Sequence, residues 1–289
     1  MANTAVMTDT VSYLPEELAA KYDILQAPVH ILMNGESYPE NEIELASFYE
    51  KIPAWKENDR LPTTSSPSPD DFVNAYRKLA TEGESIIYIG YSEHLGMAVQ
   101  SANLARDLVK DELTGTKIKI LDSKSWGGAQ MLITLELVRA NRSGASLDEL
   151  LRLATDMIEK MNQVILSDNL YYLAKGGRIH KARPWANSKV SNTALLKLDA
   201  STGGKTTPVA RCRTKGETLE TLFGMMASKH PKGKLHVVIN HADSPVEAGQ
   251  LKDEIMTRFQ CEEIYISNIG PLVTIHTGLG TRVVSWWYE

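Results

Sequence analysis

The stretch SIIYIGY, residues 85–91, decides the fold class of this chain. A nearly continuous apolar run of this kind is typical of a strand covered on both faces, as in a parallel sheet. Apolar residues at helical spacing precede it over 70–80 and follow it over 95–109. A further apolar strand over 117–121 and a helix over 129–140 continue the alternation. The first half is therefore predicted to be a three-layer α/β/α domain with a parallel sheet and right-handed crossovers.

Short polar residues end three strands of this predicted sheet. They are Thr8-Asp9-Thr10, Ser92-Glu93 and Asp122-Ser123. Ligands of parallel α/β sheets bind outside the carboxyl ends of the strands. The sequence therefore predicts that a ligand binds at this edge of the sheet.

The pattern changes after the helix that begins with the capping box SLDE at 146–149. Hairpin-like strands then alternate with helices, two of which begin with further boxes at 214–217 and 244–247. This mixture predicts a two-layer α/β domain with a mixed sheet and helices on one face. We place the two domains at residues 1–163 and 164–289, with the ligand cleft between them.

Composition excludes several classes of protein. The chain has 289 residues, of which 43% are hydrophobic, which is enough for two domains with cores of their own. Its formal net charge of −5 disfavours nucleic acid as a partner, because nucleic-acid binding needs a basic surface. No apolar run reaches the roughly 18 to 20 residues that span a bilayer, and residues 1–10 lack the pattern of a secretory signal. Cys212 and Cys261 form neither a disulfide framework nor a zinc cluster, so we expect a cytoplasmic protein without integral membrane association.

Catalytic and cofactor signatures fail at identifiable positions. Residues 204–206 (GKT) end like a phosphate-binding loop, but that loop needs a glycine where this chain has Asp199. Residues 90–94 resemble a nucleophile elbow, but its final glycine is replaced by His94. The sequence contains neither a dinucleotide fingerprint nor a His-Glu-x-x-His zinc motif. We therefore predict no catalytic residue, no metal and no cofactor.

Three other stretches carry unusual polar residues. Residues 64–68 are rich in hydroxyls, and form either a solvated linker or a set of donors beside a ligand oxygen. Residues 174–179 predict either a helix end followed by a surface arginine, or a close backbone approach with Arg178 binding a carboxylate or phosphate. Residues 276–280 contain either a structural histidine or a His-Thr donor pair at the mouth of a pocket, between two apolar strands.

These stretches, taken in order with four others, resemble the DegV family of bacterial fatty-acid-binding proteins almost from end to end. The most specific segment is LYYLAKGGRI at 170–179. The loop TSSPS at 64–68 is similar to the family's Thr-Ser-Gln-Pro-Ser, and HTGLG at 276–280 to its His-Thr-Gly-Pro-Gly. The other segments are Thr8-Asp9-Thr10 with Leu14-Pro15, Gln100-Ser101-Ala102, Asp122-Ser123 and Arg211-Cys212-Arg213-Thr214-Lys215.

The resemblance implies that one long-chain fatty acid is the ligand and that it lies in an apolar tunnel between the two domains. It implies that Thr64 and His276 bind the carboxylate, and we expect Ser65, Gly96 and Thr277 beside them.

The resemblance also implies a separate fatty acid kinase as partner, which converts the bound acid to an acyl phosphate. Arg178 and Arg213 are then expected to contact the acyl phosphate or the kinase. We expect Met97 and Val99 to line the tunnel.

One segment departs from the family pattern Leu-Ser-Gly-Thr. This chain has LGMA at 95–98, so Gly96 and Ala98 stand where the family has two hydroxyl donors. A hydrogen bond to a charged group contributes about 1.5 to 3 kcal/mol, so the loss requires another donor. Backbone N–H groups at the start of the following helix are candidates.

Two alternative functions stay open at this point. The lost hydroxyls favour a binding protein for a different small carboxylate or apolar ligand. The fold also resembles the substrate domain of dihydroxyacetone kinase, which suggests phosphoryl transfer, although a phosphate-binding loop is missing.

Overall fold

The apolar run at 85–91 forms an inner strand of a parallel sheet, as predicted. The computed structural model describes residues 4–80, 85–178, 193–228 and 233–289, so Ile179 of the segment at 170–179 lies outside the described residues. The strands of the sheet are β1 (Thr4–Asp9), β2 (Leu25–Ala27), β6 (Ser85–Gly90) and β7 (Lys117–Asp122). Their order is β2-β1-β6-β7, and all pairs are parallel.

A second, mixed sheet is built from the C-terminal half, again as predicted. Its strands are β8 (Asn162–Ser167), β9 (Thr193–Lys197), β10 (Thr207–Cys212), β11 (Leu235–His241), β12 (Cys261–Asn268) and β13 (Arg282–Tyr288). The order is β10-β9-β8-β13-β11-β12, in which β11 and β12 are parallel and the other pairs antiparallel.

A small antiparallel sheet contains β3 (His30–Met33), β4 (Glu36–Pro39) and β5 (Thr63–Ser65). Asn34 and Gly35 both have positive φ, as the type I′ turn of a tight hairpin requires. Strand β5 lies in the hydroxyl-rich stretch that the sequence predicts to be a loop. Its pairing with β3 fixes the direction of the side chains in this stretch.

Helices cover both faces of the parallel sheet. The α-helices of the described residues are α1 (Glu16–Tyr22), α2 (Leu45–Glu57), α3 (Pro69–Leu79), α4 (Ala98–Val109), α5 (Gly128–Arg142), α6 (Leu147–Lys160), α7 (Tyr171–Lys175), α8 (Lys215–Ala227), α9 (Pro245–Arg258) and α10 (Pro271–Thr277). Helices α3 and α4 share one apolar core with the parallel sheet, and α8 and α9 share another with the mixed sheet.

Helix α5 lies between the two large sheets and packs against both. It contacts β1 and β6 on one side and β11 and β13 on the other. Gly128 permits this approach, because a Cβ there would lie 2.5 Å from the Cβ of Val238. The two halves therefore share a helix, which fixes the position of the parallel sheet relative to the mixed sheet.

The three predicted capping boxes form to different extents. Ser146 forms its box with Glu149 as predicted. Thr214 accepts from the Glu217 N–H, but the Glu217 carboxylate accepts from the preceding Arg213 N–H. The box predicted at Ser244 is wrong: its hydroxyl donates to the Ala242 carbonyl instead, so α9 begins without a side-chain cap.

Replacing Ser146 with Ala is expected to lower the free energy of unfolding by about 1 kcal/mol, since an N-terminal N–H of α6 loses its acceptor. Urea denaturation measures the change. Ser65→Ala is the control, because that exposed hydroxyl donates to the Ser66 carbonyl and lies on strand β5, away from any helix end. Equal losses in the two variants would contradict the assigned role of the cap.

Of the short helices α7 and α10, the sequence predicts only the end of α7 and does not predict α10. His276, predicted to follow a strand, lies instead in the last turn of α10. The predicted division at 163/164 stays a prediction; it falls inside β8. Within the described parts of the chain, no helix has the combined length and apolar character needed to cross a membrane.

Candidate ligand site

A cavity of about 70 Å³ lies at the carboxyl ends of the parallel strands, where the sequence predicts ligand binding. Val11, Tyr91 and Trp126 reach it from the segments that follow β1, β6 and β7. Its lining residues are Val11, Thr64, Ser66, Tyr91, Leu95, Gly96, Trp126, Ile165, Leu173, Arg178, Thr206, Leu272, Val273, His276 and Thr277. Residues from both halves of the chain therefore build one apolar cavity with a few polar groups.

The alternation of strand β5 and its extension selects which hydroxyls face the cavity. Side chains of an extended segment point alternately to opposite sides. Thr64 and Ser66 are half-buried and line the cavity. Ser65 between them is exposed, and its hydroxyl donates to the Ser66 carbonyl, so it does not reach the cavity.

Thr64 and His276 form the first polar pair of the cavity. Thr64 Oγ1 lies 2.9 Å from His276 Nε2. The absence of a side chain at Gly176 leaves space for the imidazole ring, because a Cβ there would lie 2.6 Å from His276 Nδ1. Burial, aided by the positive charge of Arg178, lowers the pKa of His276 to about 4. The imidazole is therefore neutral at pH 7.

Arg178 carries the fixed positive charge among the described residues that line the cavity. It follows α7 and Gly177, whose φ is +71°, a backbone conformation that glycine adopts at little cost. Its Nη1 donates to the Gly176 carbonyl at 2.5 Å. The helix end predicted at this segment and the cavity-facing arginine are thus both present.

Ser66 and Tyr91 form the second polar pair. Their hydroxyl oxygens lie 2.5 Å apart, and Ser66 Oγ also accepts from the Met97 N–H at 2.8 Å. A Cβ at Gly96 would lie 2.5 Å from Tyr91 Oη and 2.9 Å from Ser66 Oγ. The N–H that begins α4 therefore serves Ser66, and Gly96 makes room for both hydroxyls.

Of the other predicted site residues, Thr277 lines the cavity, whereas Met97, Val99 and Arg213 are not among its lining residues. The Thr277 hydroxyl donates to the Val273 carbonyl within α10. Because neither Met97 nor Val99 is among the residues that line the cavity, their contact with the acyl chain stays a prediction. Met97 is 60% exposed, because it stands at the start of α4 with its side chain toward solvent. Arg213 lines a separate open groove of about 640 Å³ and is not brought to Arg178.

Sequence reasoning missed the second polar pair and the apolar wall of the cavity. Alternation along 64–66 was the available signal for Ser66. Tyr91 ends the run SIIYIGY, and its position at the carboxyl end of β6 was the available signal that it lies near a ligand. Leu272 and Val273 carried no such signal, because the helix that holds them was not recognised.

One group of metal-binding residue types lies outside the cavity. Ligand atoms of Glu136, His236 and Glu263 come within 4.8 Å of one another. Arg139, which is half-buried, donates to both glutamates at 2.6 to 2.8 Å, and His236 Nδ1 lies 2.8 Å from Glu263 Oε1, so both carboxylates already have partners in the protein. This group is an ion-pair network between α5 and β12 in the structure.

Comparison with known proteins adds to this geometry. The model of the family described as "Uncharacterised protein, DegV family" matches residues 3–289. A DegV domain-containing protein of Clostridium acetobutylicum is 28% identical over 286 residues, covering 98% of this chain and 97% of the relative.

Two solved structures share the fold over almost the whole chain. A DegV family protein of Thermus thermophilus, described as fatty-acid-binding, has a TM-score of 0.89 at 22% identity and covers 99% of this chain and 100% of its own. A DegV family protein of Eubacterium eligens, loaded with heptadecanoic acid, has a TM-score of 0.85 at 18% identity, with coverages of 99% and 100%. With the match of the family model over residues 3–289, the chain belongs to the DegV family.

Proposed function

We propose that this chain binds a long-chain fatty acid in the described cavity and holds its carboxylate with Thr64, His276 and Arg178. The observation that carries the proposal is the convergence of these three side chains in a cavity whose other walls are mainly apolar. Relatives of the same fold bind fatty acids, which supports the same ligand class here.

The head-group chemistry follows from the neutral state of His276. A neutral imidazole with its proton on Nε2 donates to Thr64 Oγ1, which leaves the threonine O–H free to donate to a carboxylate oxygen. The guanidinium of Arg178 adds charge-assisted donors. Since the chain carries a net charge of −5, these local donors are needed to attract an anion.

The acyl chain supplies most of the binding free energy in this proposal. Burial contributes about 0.8 kcal/mol per CH₂. The cavity of about 70 Å³ is well below the roughly 300 to 1,000 Å³ of drug-sized ligand pockets. Binding a long chain therefore requires apolar wall residues to move apart.

The same volume favours a second candidate, a shorter carboxylic acid. Titration with saturated acids of increasing length separates the two. Affinity that rises up to long chains supports the first proposal, and affinity that stops rising after a few carbons supports the second. Mass spectrometry of ligand extracted from the native protein identifies the bound acid.

We further propose that the bound acid is presented to a separate acyl kinase. This rests on the family resemblance, and on the division of the chain into residues 1–163 and 164–289 with the ligand between them. The test is acyl phosphate formation when a fatty acid kinase and ATP are added to the loaded protein. ATP hydrolysis by the purified chain alone would instead favour an enzyme of phosphoryl transfer.

Thr64→Ala and His276→Ala are each expected to weaken fatty acid binding about tenfold, because each removes a donor to the carboxylate or the group that orients it. Isothermal titration calorimetry measures the affinities. Thr63→Ala, an exposed neighbour on β5, is the control and is expected to bind like the original chain. Full affinity in both test variants would disprove the carboxylate assignment.

A further inference from the structure

Tyr91 has no role in the site proposed above, although its side chain is buried and lines the cavity. It is 4% exposed, and its hydroxyl lies 2.5 Å from Ser66 Oγ. Burial raises its pKa above the ordinary value of 10, so the phenol stays protonated at physiological pH. A neutral phenol can donate one hydrogen bond and accept others.

A hydrogen bond to the buried Asp9 carboxylate fixes the main chain of Tyr91. The Asp9 carboxylate accepts from the Tyr91 N–H at 3.3 Å, and also from Tyr88 Oη at 2.6 Å and Gln130 Nε2 at 3.0 Å. All three of these partners of Asp9 are buried. The ring of Tyr91 therefore starts from a fixed backbone position.

The phenol of Tyr91 can occupy its position only because residue 96 has no side chain. A Cβ at residue 96 would lie 2.5 Å from Tyr91 Oη and 3.0 Å from Cε2 of the same ring. Contacts this short are not tolerated, so any side chain at residue 96 excludes the observed ring position. The glycine and the tyrosine thus form one complementary pair.

The hydrogen bonds around Ser66 give a direction to the phenol proton. Ser66 Oγ accepts from the Met97 N–H at 2.8 Å, which leaves the serine proton free to be donated to Tyr91 Oη. The tyrosine proton is then free for a ligand oxygen. The hydroxyls of Ser66 and Tyr91 thus each accept one hydrogen bond and donate the next. Successive hydrogen bonds in such a series strengthen one another.

We propose that Tyr91 donates a hydrogen bond to the ligand carboxylate, and that Gly96 sets head-group specificity by admitting its ring. This deepens the proposed function and rests on it. The cavity thus gains a donor in addition to Thr64 and Arg178. It is the Tyr91 hydroxyl, which is oriented by hydrogen bonds that run from the Met97 N–H through the Ser66 hydroxyl. A ligand that cannot accept from the phenol gains nothing from it.

The test compares hexadecanoic acid with its methyl ester by calorimetric titration. Tyr91→Phe is expected to weaken binding of the acid about tenfold and of the ester about threefold at most, because the ester carbonyl accepts from the phenol but carries no charge. Tyr76→Phe is the matched control. It removes another buried phenol, whose hydroxyl donates to the Ala102 carbonyl and does not line the cavity.

A second pair of variants tests the role of Gly96. Gly96→Ser is expected to weaken acid binding about tenfold in the original chain, because it displaces Tyr91. In the Tyr91→Ala background the same change is expected to weaken binding less than about threefold, since the contact with the ring is gone and only Ser66 Oγ, 2.9 Å from the new Cβ, must shift. This non-additivity is a coupling between the two residues that independent effects do not produce.

Three results would overturn the inference. They are acid affinity unchanged in Tyr91→Phe, equal losses for acid and ester in that variant, and additive effects of the two substitutions. In each case the proposed function stands as long as the original chain binds the acid. If the original chain binds neither compound, the proposed function fails and the inference fails with it.

Discussion

Arg178→Gln is expected to weaken binding of hexadecanoate by one to two orders of magnitude at pH 7.5. Arg178 is half-buried, and the loss of charge-assisted hydrogen bonds to a carboxylate costs about 1.5 to 3 kcal/mol. Arg178 is the cation among the described residues that line the cavity, and the overall charge of −5 offers no replacement. Calorimetric titration measures the loss, and the uncharged methyl ester is expected to lose less than tenfold.

Arg213→Gln is the matched control for that experiment. Both arginines were predicted from sequence to serve the same phosphate or partner, but Arg213 lies in the separate groove. Its replacement is expected to leave the affinity for the acid unchanged. Equal losses in the two variants would mean that net charge, rather than the cavity cation, controls binding.

The Arg178 variant has a second readout at His276. The positive charge of Arg178 contributes, after burial, to the lowered pKa of this histidine. Arg178→Gln is therefore expected to raise the His276 pKa above about 4 but to leave it below 6.5, because burial remains. Titration of the imidazole by NMR measures the shift, and an unchanged pKa would show that the two side chains do not interact.

The layers of the fold were predictable because each depends on a local pattern. The run SIIYIGY has no polar face, and such a strand is stable only between two layers of helices. The capping box at Ser146 and the turn at Asn34 follow from side chains that satisfy nearby backbone groups. These features need no knowledge of distant residues.

The site was only partly predictable, because its geometry depends on contacts between residues far apart in sequence. Thr64 and His276 were paired through the family resemblance, and the structure shows them in contact. Tyr91 was not singled out, since nothing local shows that Gly96 leaves space for its ring. Ser65 and Met97 do not line the cavity, because strand pairing or the start of a helix sets the direction in which a segment's side chains point. The same limit explains why the capping box at Ser244 failed.

The location of His276 on a helix shows which contacts determine the position of its side chain. A histidine in a loop between strands has no fixed neighbours, whereas one in the last turn of α10 is carried by whatever anchors that helix. Leu272, Val273 and Thr277 of the same helix line the cavity. The anchors of α10 therefore control the shape of the site.

Glu40→Gln is expected to change the pH dependence of stability by about 3 kcal/mol. Glu40 is 4% exposed and accepts from the Leu272 N–H of α10 at 2.7 Å. Burial, which outweighs this bond, raises its pKa from the ordinary 4.5 to about 7, and Asp9 contributes in the same direction. Between pH 7 and 4.5 the folded protein thus binds a proton that the unfolded chain does not, so stability rises as pH falls through this window. A difference from 4.5 to about 7 corresponds to about 3 kcal/mol.

The amide of the Gln variant does not titrate, so the contribution of Glu40 is the difference between the two stability curves. From pH 8 to pH 4, the original chain is expected to gain about 3 kcal/mol of unfolding free energy relative to Glu40→Gln, measured by urea denaturation. His276 acts in the opposite sense, because its lowered pKa makes stability fall as pH falls from 6.5 to about 4, but it is present in both proteins and cancels. Glu42→Gln, an exposed neighbour, controls for the loss of one negative charge. Parallel curves for the original chain and Glu40→Gln would show that folding does not raise the pKa of Glu40. The difference expected here instead means that α10, and with it the cavity, is held by a protonated acid at mildly acidic pH.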